Sequence, residues 1–195
     1  MEGDLEILKQ EVVQCSRCAL AQTRNNVIFG EGNSKAPLMI IGEAPGRDED
    51  IHGRPFVGLS GQLLDKIFAA CGFNREEHLF ISNIVKCRPP DNRLPTPHEA
   101  QVCMPWLLKQ VEIINPKIMV LLGATALKYM AGTEWKITRD HGKWISCQFR
   151  LAIPVYHPAA LLRDPSLKRD TWEDFRKIVL KYRDLIDKNH YSRYI

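Results

Sequence analysis

The residues of this chain with the most chemistry in them are six cysteines, a histidine set before a proline, and a run of acids among glycines. Cys15 and Cys18 form a C-x-x-C pair, and Cys103 follows Cys87 after fifteen intervening residues. Four thiolates suit zinc or an iron–sulfur cluster. A two-knuckle zinc ribbon prefers a second close pair, whereas a cluster with four cysteine ligands accepts them from distant loops. A thioredoxin-like redox pair at Cys15 and Cys18 is also open on spacing alone. Cys71 and Cys147 lack partners and read as core or surface thiols.

The acids lie in GEAPGRDEDIHGRPFVG, residues 42–58, directly after the apolar run Leu38 to Ile41. Gly42, Pro45 and Gly46 impose a sharp turn where backbone can approach a ligand. Glu43, Asp48, Glu49 and Asp50 repel one another, so some must meet water, a proton or a basic partner. Asp48 and Asp50 read as solvated loop acids, while Glu43 sits just past a strand end, where open parallel sheets place their ligands. Phe56 in the same loop is a core plug or a stacking platform, and taken alone the plug is favoured. His157 follows the last apolar run, and Pro158 biases it out of the helical region. Alone it reads as a structural hydrogen-bonder, and its company gives it interest.

The elements that position these residues alternate. Apolar, β-branched runs at Leu38 to Ile41, Leu79 to Val85, Ile118 to Leu122 and Ala152 to Tyr156 predict buried strands. Helical patterns cover Leu5 to Val13, Ser60 to Cys71, Thr96 to Ile114, Ala124 to Ala131 and Thr171 to Asp187, and Thr96, Pro97 and Glu99 form a strong helix start. The order predicts a three-layer α/β/α sandwich around a mainly parallel four-stranded sheet. Parallel strands would bring Glu43, Asn83 and His157 to one edge although they are far apart in sequence. Residues 1–195 read as a single domain, with 187–195 as a loose tail.

With 195 residues, 45% hydrophobic and 26% charged, the chain is long enough for a sizeable core. A net charge of +4 is compatible with a polyanionic partner without identifying one. Basic residues gather at Lys86, Arg88 and Arg93 and again at Arg163, Lys168 and Arg169. No stretch is long and apolar enough to span a membrane, and the acidic N-terminus is unlike a signal peptide, which predicts a cytoplasmic protein with no membrane partner. G-x-G-x-x-G, G-x-x-x-x-G-K-S and G-x-S-x-G are all missing.

Three segments carry a resemblance. GEAPGRDEDIHGRPFVG, ISNIVKCRPPDNR and YHPAALLR, with Cys15, Cys18, Cys87 and Cys103 in order, resemble the motifs of the family 4 uracil-DNA glycosylases, the iron–sulfur type, nearly end to end. The resemblance implies a uracil-DNA glycosylase-like fold and a 4Fe-4S cluster on those four cysteines, structural in role. It implies a monomer that flips uracil out of single- or double-stranded DNA and hydrolyses its N-glycosidic bond, leaving an abasic site. Gly42, Glu43 and Ala44 would supply backbone contacts to uracil, Phe56 would stack on it, Asn83 would read its edge and His157 would contact a carbonyl oxygen. Glu43 or Glu49 would orient water or offset positive charge on the sugar, since Ala44 stands where related enzymes often carry Asp or Asn, and Glu49, or else Phe56 or backbone near Gly46, would block the thymine methyl. Lys86, Arg88 and Arg163 would meet DNA, and Leu161 and Leu162 would fill the vacated stack. Arg47 departs from the acid that many relatives carry there. The region RPPDNRLPTPH has no inserted basic loop with a product-trapping histidine, and His98, at a helix start, is a poor substitute. The alternatives are a catalytically silent iron–sulfur DNA-binding or damage-sensing module on the same fold, and a zinc-stabilised nucleoside hydrolase.

Overall fold

The structure is a computed structural model that describes residues 2–195. Along the chain run α1 (Glu2–Val13), β1 (Glu31–Gly32), β2 (Leu38–Gly42), α2 (Arg47–His52), α3 (Leu59–Ala70), β3 (Leu79–Asn83), α4 (Pro97–Ile114), β4 (Ile118–Leu122), α5 (Gly123–Ala131), α6 (Ile137–Asp140), β5 (Ile145–Cys147), β6 (Arg150–Val155), α7 (Pro158–Arg163) and α8 (Lys168–Leu185). One sheet has the order β1-β3-β2-β4-β6-β5. Its four inner strands are parallel and are the four predicted. The edge strands β1 and β5 are antiparallel additions, two and three residues long, too short to carry an alternation pattern.

The inner strands are apolar on both faces because both faces are covered. On β2, Met39 and Ile41 enter one core with residues of α1, α4 and α5, and Leu38 and Ile40 enter the other with residues of α3 and α8. The start of α4 forms as its sequence demands: Thr96 Oγ1 accepts from Glu99 N–H at 3.2 Å and Glu99 accepts from Thr96 N–H at 2.8 Å.

The order of the inner strands matters for the site. From β2 the chain moves outward to β3, then crosses to β4 and on to β6, so the topology reverses between β2 and β4. A crevice opens at such a reversal, outside the carboxyl ends of the strands.

The C-terminal stretch, expected to be loose, is pinned. His190 donates from Nε2 to the Cys71 carbonyl at 2.9 Å and stacks on Phe73 at 4.6 Å, Ser192 Oγ bonds the Ala70 carbonyl, and Arg183 holds the carbonyls of His190 and Ile195. Polar composition suggested solvation, but here the polar atoms close off the end of α3. Among the described residues no helix is long and apolar enough to cross a membrane.

Candidate active site

A cleft of about 630 Å³ occupies the crevice at the sheet's carboxyl edge. Glu43 and Ala44 enter it just after β2, Asn83 from the end of β3, Gly123 from the end of β4, and His157 directly after β6. Glu49 lines it from α2, Phe56 from the loop between α2 and α3, and Arg163 from the end of α7. Gly42, at the end of β2, lets two cleft residues pack close: a Cβ there would stand 2.4 Å from Asn83 Oδ1 and 2.7 Å from the Phe56 ring.

Asn83 is 1% exposed, and its Oδ1 is buried without a hydrogen-bond partner. Such an orphan is costly, so its natural complement is a donor brought by a ligand. His157 is held at the N-cap of α7, where Nδ1 accepts from Ala159 N–H at 3.1 Å. That bond leaves the proton of the neutral ring on Nε2. Burial pulls His157 down to about 4, Arg163 adds to the shift and Glu49 opposes it, so the ring is neutral at physiological pH. Its imidazole lies 5.6 Å from the Phe56 ring, 30° from parallel. Phe56 is buried and has φ +53°, an unusual backbone for a residue with a large side chain.

The acids separate into different environments. Glu43 accepts from Thr125 Oγ1 on α5, a partner that no local motif announces because it lies 82 residues away. Glu49 accepts from Val57 N–H at 2.8 Å, Gly58 N–H at 2.9 Å and Gly46 N–H at 3.0 Å, which ties the two ends of the loop together. Asp50, read as solvated, is 1% exposed, because Asn25 and Asn26 satisfy it with three donors at 2.7–3.1 Å.

Two of the residues expected at DNA are elsewhere. Lys86 is 1% exposed, and its Nζ donates to Ser82 Oγ, the Asn83 carbonyl and Gln110 Oε1 at 2.5–2.8 Å. It is an internal strut and not a phosphate contact. Burial lowers its ammonium to about 8 against the pull of Cys103 and Cys87. Leu161 is buried, because the first turn of α7 packs that position inward, and so it is unavailable as a wedge. Leu162 and Arg163 face solvent, and Arg88 is half-buried with its Nε on Asn92 Oδ1 at 2.7 Å. Leu94, 67% exposed on the cleft wall, is an apolar residue that the sequence pattern did not single out.

Cys15, Cys18, Cys87 and Cys103 line one small cavity between the end of α1, the segment after β3 and α4. Among the described residues no three His, Cys, Asp or Glu side chains converge on a single point. The donor set fits an anionic sulfur-rich group: Arg24 Nη1 points at Cys87 Sγ (3.1 Å), Lys86 N–H at Cys103 Sγ (3.3 Å) and Trp106 Nε1 at Cys15 Sγ (3.4 Å). Cys71 and Cys147 are buried apart from this group, and burial pushes them up to about 12 and about 11, as core thiols.

Comparison with known proteins agrees with the geometry. Residues 29–176 match the model of the uracil DNA glycosylase superfamily. Curated relatives in several organisms carry the name type-4 uracil-DNA glycosylase. That of Sulfurisphaera tokodaii is 43% identical over 89% of this chain and 83% of its own length. Those of Thermotoga maritima and Saccharolobus solfataricus are 44% and 42% identical, over 89% and 90% of this chain and 92% and 85% of their own. The chain therefore belongs to the uracil DNA glycosylase superfamily and, within it, to the type-4 uracil-DNA glycosylases.

Proposed function

We propose that this protein is a DNA-repair hydrolase, a single-domain glycosylase that excises uracil from DNA and leaves an abasic site. The observation that carries the reading is the unpartnered, buried Oδ1 of Asn83, packed over Gly42 in the cleft that a neutral His157 also lines. Uracil offers an N3–H donor next to the 4-carbonyl acceptor, which is the complement of one orientation of the Asn83 amide. Cytosine presents the reverse pattern and would leave buried groups unpaired, a mismatch that discriminates by roughly 10⁴-fold or more.

The reaction needs the bond between uracil N1 and the sugar C1′ to break, with its electron pair passing to the base. The target nucleotide must first leave the stack. Exposed Leu162 is the residue of the pair after HPAA that can fill the gap, and Arg163, lining the cleft, can meet a phosphate. With uracil in the cleft against the Phe56 ring, His157 Nε2–H donates to the carbonyl oxygen that gains charge as N1 departs. Water then adds to C1′ and gives its proton to a carboxylate. Glu43 fits that role better than Glu49, because backbone donors already occupy both oxygens of Glu49 whereas Glu43 has one fixed by Thr125 and one to spare. Thr125→Val should lower the single-turnover rate about tenfold with little change in DNA affinity, a modest share of the usual general-base contribution. Thr125→Ser should restore it. A Thr125→Val enzyme at full rate would remove Glu43 from the step.

Cys15, Cys18, Cys87 and Cys103 would hold a 4Fe-4S cluster, which when bound supplies a structural cross-link between α1, α4 and the segment after β3. Protein purified without air should be brown and contain iron and sulfide, and Cys103→Ser should lose both colour and thermal stability. A colourless zinc protein would overturn the cluster assignment.

Uracil-containing single- and double-stranded oligonucleotides, treated with protein and then alkali, test the activity. Strand cleavage at uracil is expected from the wild type and not from the Asn83→Ala, His157→Ala double variant. DNA binding without release would instead identify a silent binding module.

A further inference from the structure

Arg75 lies outside the cleft, in the segment between α3 and β3, yet it holds the backbone of the residue proposed to stack on the base. Its Nη1 donates to the Pro55 carbonyl at 2.8 Å and its Nη2 to the Phe56 carbonyl at 2.7 Å. The other edge of the guanidinium is fixed by Asp65 of α3, from Nε at 2.9 Å and Nη2 at 3.1 Å. Glu31 Oε1 stands 3.5 Å from Nη1 and is itself held by Arg54.

We propose that Arg75 is a positioning residue that sets the Phe56 ring for the flipped base. Phe56 sits at φ +53°, where a residue with a Cβ does not stay unless its surroundings hold it. Clamping the two consecutive carbonyls of Pro55 and Phe56 with one rigid fork fixes the backbone on both sides of the Phe56 Cα, and with it the direction of the Cα–Cβ bond. A lysine, with one point of attachment, cannot hold both. The helix on the other side closes the arrangement: a Cβ on Gly61 would lie 2.0 Å from the Phe56 carbonyl oxygen, so the α3 backbone presses against the group that Arg75 grips. The rings of Phe56 and His157 are neighbours, so release of Phe56 would disturb both sides of the base pocket.

The inference rests on the reading of Phe56 as a stacking residue, and a mutant cycle separates the two. Single-turnover rates and DNA affinities on a uracil oligonucleotide are measured for the wild type, Arg75→Ala, Phe56→Ala and the double variant. Each single variant should lose about 5- to 100-fold in rate over affinity, the range for one base stacked on one aromatic ring. The double variant should be no worse than Phe56→Ala within about twofold, since Arg75 has nothing left to position. Arg75→Lys should recover only part of the loss. Where Arg75→Ala fails to fold, Asp65→Asn, which leaves the arginine but loosens its orientation, should show a smaller loss with the same non-additivity. Multiplicative losses in the double variant, or wild-type kinetics in Arg75→Ala, would overturn the proposal. An inactive wild type would overturn the glycosylase reading instead.

Discussion

His157→Ala is expected to slow uracil release by about 10²- to 10³-fold, the usual cost of removing one positioned donor from a developing anion. Affinity for uracil-containing DNA should change little, because the bond strengthens as charge moves onto the base. The structure also fixes how pH enters. With Nδ1 occupied by Ala159 N–H and the ring held down to about 4, the wild type needs no proton on or off His157 between pH 5 and 8. The rate profile should therefore show no histidine limb near the ordinary value of about 6.5. Stability behaves differently. Between about 6.5 and 4 the unfolded chain binds a proton at His157 that the folded chain refuses, so stability present above that window is lost as pH falls through it. Denaturant titrations at both ends should show a smaller acid loss in His157→Ala than in the wild type. An equal loss would mean that the imidazole is not held neutral.

Gly42→Ala, a change of one methyl group, should be nearly as severe. The added carbon would stand 2.4 Å from Asn83 Oδ1 and 2.7 Å from the Phe56 ring, so both side chains would be pushed from β2 into the cleft they line. Displacement of the order of an ångström at a reacting centre costs about 10²-fold. Overpacking adds roughly 1–3 kcal/mol of destabilisation. Rates at saturating DNA should collapse while the protein, still folded, melts a few degrees earlier. Near-normal turnover would show that Asn83 and Phe56 do not need to approach β2 so closely.

Much of this arrangement was legible in the residues. The four inner strands could be read because they are buried on both faces, and the start of α4 because Thr96 and Glu99 satisfy each other locally. The parallel order then placed Glu43, Asn83 and His157 together without any contact being known. What could not be read depended on partners distant in sequence. Lys86 looked like a surface charge because nothing in ISNIVKCRPPDNR reveals that Gln110 would take it in, whereas YHPAALLR left open which of Leu161 and Leu162 faces the core. Asp50 looked solvated because its asparagine donors precede the first inner strand. Thr125 and Arg75 were invisible for the same reason, since each acts by reaching another segment.

Lys86 joins the cavity of the four cysteines to the end of β3. Its backbone N–H reaches the sulfur of Cys103, and its ammonium reaches the carbonyl of Asn83. The segment from Asn83 to Lys86 thus connects the cysteine cavity to the end of β3 through one buried side chain. The same buried lysine therefore braces the cysteine cavity and the backbone at the end of β3, so the two sites share one internal support.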